Sequence, residues 1–284
     1  MSNFQIKKGI ESALNSSGRN LVDINFLGIG GAFDIEEGTA SALLKTKSGK
    51  LLLIDCGYTA YSKLRKKGLI GDIDKVFVTH THEDHISSLS TLVYDRFFLH
   101  NKTTEIECTA DVAARVKTYL DICGHPDEQY TISQEKYLYI EEDAISVTKI
   151  DTTKNHWPIN NFPNSGLIFH FDTGDSSDDY AVLIYSGDIN VPITDLMDPV
   201  DYSFVYSNPD KVFIFHDMTS LVHERNPHTN FELLVPVKKI FKNLFTYHHG
   251  AEQIALINKS NSEMALTSMI LQGEDFVIEE IRGI

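Results

Sequence analysis

Thr79-His80-Thr81-His82-Glu83-Asp84-His85 comes directly after the apolar run Val76-Phe77-Val78. Three imidazoles and two carboxylates crowded behind a β-branched and aromatic run belong at the end of a buried strand. Ile86, Leu89, Val93 and Phe97 then recur at roughly helical spacing, which predicts a helix beginning near Asp84. The cluster therefore occupies a strand-to-helix loop, where a carboxylate also suits the positive end of the helix dipole. Imidazole and carboxylate donors on a rigid, open edge form a ligand set for first-row metal ions. A polar loop with unrelated histidines is the bland alternative, and it leaves the spacing unexplained.

A chain of 284 residues can bury a sizeable core and fits one large domain over 1–284. Its 25 basic and 40 acidic residues leave a formal charge of −15. Such a balance repels polyanions at long range and is a poor basis for gripping DNA or tRNA. Cys56, Cys108 and Cys123 are widely separated and form no C-x-x-C, which suits free thiols in a reducing cytoplasm. The sequence has no signal-like apolar N-terminus and no run of membrane-spanning length. The expectation is a cytoplasmic protein that does not engage membranes.

Periodicity and turn signals predict an N-terminal helix through Ile6, Ile10 and Leu14, then strands over 21–27, 42–46 and 51–54. Helices are predicted over 58–67 and 111–123, closed by Gly68 and Gly124. Strands come next over 137–140, 145–150, 166–171, 181–185 and 211–215, then a helix over 231–244. The acidic stretch 172–179 reads as a solvated hairpin tip. Beyond Gly250 come a further helix and two apolar runs, 264–271 and 276–281, read as an edge strand or a subunit interface. Strands and interleaved helices, twice over, predict an α/β (α+β) chain: an αββα sandwich of two mixed β-sheets flanked by helices.

A site for two metals needs more donors than one loop supplies. Three later segments offer them, each behind an apolar run: His156 in Lys154-Asn155-His156-Trp157-Pro158, Asp188 in Tyr185-Ser186-Gly187-Asp188, and His248 in Tyr247-His248-His249. Gly187 lets the backbone approach closely, and a carboxylate there can bridge two cations. His249 rivals His248, because alternation along an extended segment points the two to opposite faces. His100, His125, His170 and His223 have no such setting and read as ordinary.

The HxHxDH unit, succeeded in order by His156, Gly187-Asp188 and His248, resembles the metallo-β-lactamase superfamily. Phe26-Leu27-Gly28-Ile29-Gly30-Gly31-Ala32-Phe33 is similar to the LGTGGA opening of its ribonuclease Z-like branch, with Ile29 in place of Thr. Leu53-Ile54-Asp55-Cys56-Gly57 matches that branch's D-C-G segment, with Asp55 placed to orient a ligand histidine. Phe215-His216-Asp217-Met218-Thr219 and Pro227-His228-Thr229-Asn230 resemble its later HE-T and HST segments. Thr229 and Glu232 have the spacing of a capping box, which would present His228 beside a helix start.

The resemblance covers roughly 21–250, with 251–284 as a C-terminal extension and candidate dimer element. It implies the metallo-β-lactamase fold and two divalent ions, zinc or, given mixed oxygen and nitrogen donors, manganese. His80, His82 and His156 would hold one ion and Asp84, His85 and His248 the other, with Asp188 bridging. Asp84 and His228 are the implied catalytic residues, His228 serving the developing charge or the leaving oxygen.

Ribonuclease Z enzymes carry a protruding, basic, Gly/Pro-rich arm that grips tRNA, whereas the stretch between Asp188 and Lys211 here is short and acidic. Without the arm, the chain resembles the phage-type anti-Pycsar proteins. That resemblance implies a homodimeric, metal-dependent phosphodiesterase of cyclic mononucleotides, acting through a hydroxide activated by two metals. It would counter bacterial cyclic-nucleotide immune signalling from the host cytoplasm if phage-encoded. The alternatives are a tRNA 3′ endonuclease, a non-catalytic nucleotide-binding member of the fold, and a lactone or thioester hydrolase. Retention of all seven ligand-type residues weighs against the non-catalytic one. Tyr94, Arg96, Phe97 and Trp157 are candidate base or phosphate contacts, with core packing the plainer account of Phe97 and Trp157.

Overall fold

Apolar runs with no polar alternation form the centre of two stacked sheets, because both faces of each sheet are covered. The structure, a computed structural model, describes residues 3–8, 19–156, 161–172, 180–219, 226–249, 268–269 and 275–281, with side chains between 22 and 249. Trp157, His223, the acidic tip from 173 to 179 and the helix predicted after Gly250 lie outside the described residues.

The first part of the chain supplies β1 (Asn3–Lys8), β2 (Arg19–Gly28), β3 (Ser41–Thr46), β4 (Leu51–Ile54), β5 (Ile73–Phe77), β6 (Thr104–Glu107) and β7 (Tyr130–Ser133). The second supplies β8 (Tyr137–Ile140), β9 (Ile145–Asp151), β10 (Ser165–Asp172), β11 (Tyr180–Tyr185), β12 (Val212–Asp217), β13 (Asn243–Tyr247) and β14 (Ser268–Met269), and the chain returns in β15 (Asp275–Ile281). Among the described residues one sheet runs β1-β15-β2-β3-β4-β5-β6-β7 and the other β14-β13-β12-β11-β10-β9-β8. Each is mixed: β4 to β7 are mutually parallel, as are β11 to β14, and the remaining pairs are antiparallel.

Strand alternation sorts each run into two cores. Leu52, Ile54 and Phe77 from one sheet meet Leu167, Phe169, Phe213 and Phe215 from the other between the sheets. Their neighbours Leu53 and Val76 face outward against α1 (Ala60–Lys67), α3 (Leu89–His100) and α4 (Ala110–Ile122). Ile168, Ile184 and Ile214 face the opposite way, against α6 (Pro199–Ser207) and α7 (Phe231–Ile240). Two short helices, α2 (Glu83–Ile86) and α5 (Thr153–His156), come shortly after the ends of β5 and β9. The result is the expected αββα sandwich.

Several local expectations differ from what forms. Residues 3–8 are a strand paired to β15, because that pairing satisfies their backbone where an isolated short helix is marginal. Residues 276–281 do not lie at an edge: β15 is held between β1 and β2. The helix read over 231–244 stops at Ile240, and Asn243–Tyr247 becomes β13 beside β12, where its aromatic and β-branched side chains are buried. The helix expected from Asp84 is two pieces, α2 and α3, separated at Ser87-Ser88. Asn230, not Thr229, caps α7 by accepting from the Glu232 amide at 2.9 Å, while Thr229 Oγ1 donates to the Ile189 and Val191 carbonyls. Cys56, Cys108 and Cys123 are free, as expected, and burial pushes the Cys108 thiol up to about 12. Among the described residues no helix is long and apolar enough to cross a membrane.

A buried charged tie crosses between the sheets. Lys149 on β9 is fully buried and donates to Glu107 on β6 at 2.8 Å and to the Cys108 carbonyl at 3.2 Å. Removing the cation leaves a buried carboxylate with less compensation, a change of the class that costs about 3–5 kcal/mol. We expect Lys149→Ala to lose about that much in urea unfolding, and Lys149→Met combined with Glu107→Leu to recover most of it.

Candidate metal centre

The strands deliver their donors to one edge. β5 ends into the HxHxDH loop, β9 runs into α5 and His156, β11 into Asp188, and β13 into His248. β11, β12 and β13 are parallel, so their C-terminal ends and the loops leaving them share a side. The sheets are laced together at this edge: Ser165 donates to the Thr79 carbonyl at 2.9 Å, and His80 forms a single bridge with Asn164.

Asp55, at the end of β4, builds the loop. Its fully buried carboxylate accepts from the Thr79 amide (2.8 Å), the Thr79 hydroxyl (2.7 Å) and His85 Nδ1 (2.8 Å). With its proton committed to Asp55, Thr79 Oγ1 accepts from His80 Nδ1 at 3.0 Å. One carboxylate thus fixes the Nδ1 side of two imidazoles and turns the Nε2 atoms of His80 and His85 toward the other donors. Asp55 does this at a φ of 59°, a backbone state that costs a non-glycine residue on the order of 1 kcal/mol. Gly57 comes two positions on because a Cβ there would stand 1.8 Å from the Asp84 carbonyl oxygen. Gly187, at φ 64°, serves the Asp188 turn in the same way, since a Cβ would meet the Ser165 carbonyl at 2.6 Å.

All seven expected donors converge, in two groups whose ligand-type atoms lie within 4.8 Å of one another: His80, His82 and His156, and Asp84, His85, Asp188 and His248. In the first, His82 Nδ1 stands 3.1 Å from His80 Nε2 and 3.3 Å from His156 Nε2. His156 gives its Nδ1 proton to the Asp188 carbonyl at 2.7 Å, so Nε2 is its lone pair. Burial holds all three imidazoles below their ordinary value, His156 at about 4, so they are neutral near pH 7. Asp188 joins the groups, its Oδ2 lying 3.7 Å from His80 Nε2 and 3.3 Å from both His85 Nε2 and His248 Nε2.

The second group demands positive charge. Burial alone would push His248 down, but Asp188 and Asp84 raise it to about 8. Burial opposes His85 likewise, and Asp188, Asp84 and Asp55 carry it well above its ordinary value. Burial would raise both carboxyls, yet His248 and His85 hold Asp188 well below the carboxylate range, and His85 and His248 do the same to Asp84. What draws protons here also draws cations. Among the described residues His85 Nε2 and Asp188 Oδ1 are buried with no hydrogen-bond partner, which is costly unless something else binds them. Neutral nitrogens, ionised carboxylates and these two orphaned atoms are a donor set that fits divalent ions such as zinc.

His248, and not His249, reaches the group. It turns in at φ 64° with its Nε2 3.2 Å from Asp84, while the buried His249 places Nε2 3.2 Å from the Thr246 carbonyl. His228 stands beside them, half-buried, with Nδ1 donating to Asp217 at 3.0 Å and its ring 4.4 Å from that of His248. His216 is fully buried, its Nδ1 donating to the Asp217 carbonyl and its Nε2 accepting from the Ile193 amide. Arg96 is committed to the Ile70 and Thr103 carbonyls, and Tyr94 to the Cys123 carbonyl. Asn164, which donates to the Asp188 carbonyl at 2.8 Å, had no sequence signal, since its segment reads as a turn.

Two half-sandwiches with paired donor groups at their shared edge define a metallo-β-lactamase-fold protein. Solved structures agree on the fold: the metallo-β-lactamase fold protein YhfI from Bacillus subtilis matches with a TM-score of 0.65 at 15% identity, covering 89% of this chain and 98% of that one. The short form of human tRNase Z matches with a TM-score of 0.61, also at 15% identity and the same coverage. The chain belongs to the anti-Pycsar protein Apyc1 family, whose model matches residues 22–271. The Apyc1 of Bacillus phage 010DV004 is 32% identical over 90 residues, 31% of this chain and 35% of that protein. A ribonuclease Z of Methanopyrus kandleri is 37% identical over 89 residues, 31% of this chain and 32% of that protein. The aligned stretch thus spans about a third of the length of these curated relatives.

Asp55 gives the centre a direct test. We expect Asp55→Ala to keep the sheet content, read by far-UV circular dichroism, while zinc affinity measured by competition with a chromophoric chelator falls about 10- to 100-fold.

Proposed function

We propose that this protein is a metal-dependent phosphodiesterase that hydrolyses cyclic mononucleotides. The observation that carries the reading is the joining of the two donor groups through Asp188 with the Asp217–His228 pair alongside. Divalent cations held there supply Lewis acidity and activate water for attack on phosphorus.

The chain's own residues supply the rest. His80, His82 and His156 would bind on one side and Asp84, His85 and His248 on the other, with Asp188 between them. Asp84 would also orient the attacking water. Asp217 accepts from His228 Nδ1 and so turns the other ring nitrogen away from itself, where a proton on it can pass to the departing alkoxide. Asp55, Thr79 and the Asp188 carbonyl hold the imidazoles in their binding tautomers.

A small substrate is supported by the segment after Asp188. Ile189, Ile193 and Val205 are buried in the core of the second sheet, so the stretch to Lys211 packs down where an RNA-gripping arm would protrude. The formal charge of −15 supports the same choice. Membership of the Apyc1 family supports a role against cyclic-nucleotide immune signalling, and a homodimer and a cytoplasmic location go with that reading.

Incubating the zinc- or manganese-loaded protein with cyclic CMP, cyclic UMP, cyclic AMP and a precursor tRNA tests this. Hydrolysis of a cyclic nucleotide with the tRNA left intact is the expected result; tRNA cleavage alone would instead favour the endonuclease. We further expect His228→Ala to lower kcat by about a hundredfold or more while zinc content stays that of the parent. Equal loss of metal would mark His228 as structural.

A further inference from the structure

Arg115 lies on α4 at the rim of the first donor group, exposed yet not free to wander. Its Nε donates to Thr81 Oγ1 at 2.8 Å, and Thr81 sits between His80 and His82. Its guanidinium carbon lies 4.0 Å from the centre of the Phe162 ring. Phe162 is half-buried and stacks on the His82 imidazole, with centroids 4.3 Å apart and planes 28° apart. An ordinary surface arginine is a mobile, solvated charge; this one is held by a hydrogen bond and a ring face, both anchored to the metal loop. Among the described residues its two terminal nitrogens have no hydrogen-bond or ion-pair partner. A guanidinium fork held at Nε and against a ring face, beside a candidate metal site on a strongly acidic chain, suits a phosphate ester.

We infer that Arg115 is a specificity-determining residue that takes the non-reacting oxygens of a nucleotide phosphate, with Phe162 as its backing. The assignment rests on the phosphodiesterase reading above. Thr81 and Phe162 orient the fork, so the charge is delivered at a fixed place and less side-chain freedom is lost on binding. Neutral lactones and thioesters offer the fork no anionic oxygens, which places discrimination between acyl and phosphoryl substrates on this residue.

The test uses the zinc-loaded full-length protein, with uridine 5′-monophosphate as the binding probe in calorimetry and cyclic UMP as substrate. Arg115→Gln is expected to weaken the nucleotide about tenfold to a hundredfold and to raise KM for cyclic UMP similarly, with kcat and zinc content unchanged. Arg115→Lys keeps the charge but loses the fork, and is expected to restore only part of the affinity. Equal affinity in the parent and Arg115→Gln overturns the assignment, as does failure of the parent to bind the nucleotide. Loss of zinc along with affinity also overturns it, because Arg115 would then merely brace the Thr81 loop. If the parent binds the nucleotide through Arg115 yet hydrolyses no cyclic nucleotide, the phosphodiesterase reading falls and Arg115 stands as an anion-binding residue.

Discussion

The Asp55 carboxylate, sealed at the end of β4, is the contact on which the rest of the centre depends. It binds Thr79 twice and His85 once, and through the Thr79 hydroxyl it also sets the proton on His80. A loop of alternating histidines would otherwise be free to present either ring nitrogen. Burial makes the arrangement strict, because each unsatisfied group there costs about 1–3 kcal/mol. The left-handed backbone at Asp55 and His248 is the strain this geometry stores, and the packed sheets on either side hold it.

From that anchor the electrostatics divide. One group gathers three imidazoles that burial keeps neutral; the other gathers two carboxylates whose neighbours are drawn toward positive charge. Asp188, in the second group, reaches to within 3.7 Å of His80 in the first, because Gly187 lets its turn pass close to Ser165 and the Asp188 carbonyl is pinned by Asn164 and His156. The two sheets contribute unequally: the first supplies the HxHxDH loop and its anchor, the second supplies His156, Asp188, Asp217 and His248. Their interlock at Thr79 and Ser165 therefore fixes the distance between the two halves of the centre.

The parts of the centre legible in the sequence are those in short, ordered segments. The HxHxDH loop can be read because its spacing and the strand before it are local. His156, Asp188 and His248 can be read because each closes an apolar run in a recognisable order, and Asp55 because it sits in a D-C-G segment. Asn164, Arg115 and Phe162 cannot, since their contacts join residues distant in sequence without any repeating pattern. Residues 3–8 and 276–281 escape for the same reason: they pair with each other across nearly the whole chain, and local periodicity carries no trace of that. The helix predicted to Leu244 falls short because burial beside β12 outweighs helical spacing.

The central claim is that these seven side chains hold two divalent cations. Calorimetric titration of chelator-treated protein with zinc tests it most directly. Two equivalents bound per chain are predicted, falling toward one in His82→Ala, where only the three-imidazole group is damaged. A parent protein that takes up one equivalent or less would contradict it.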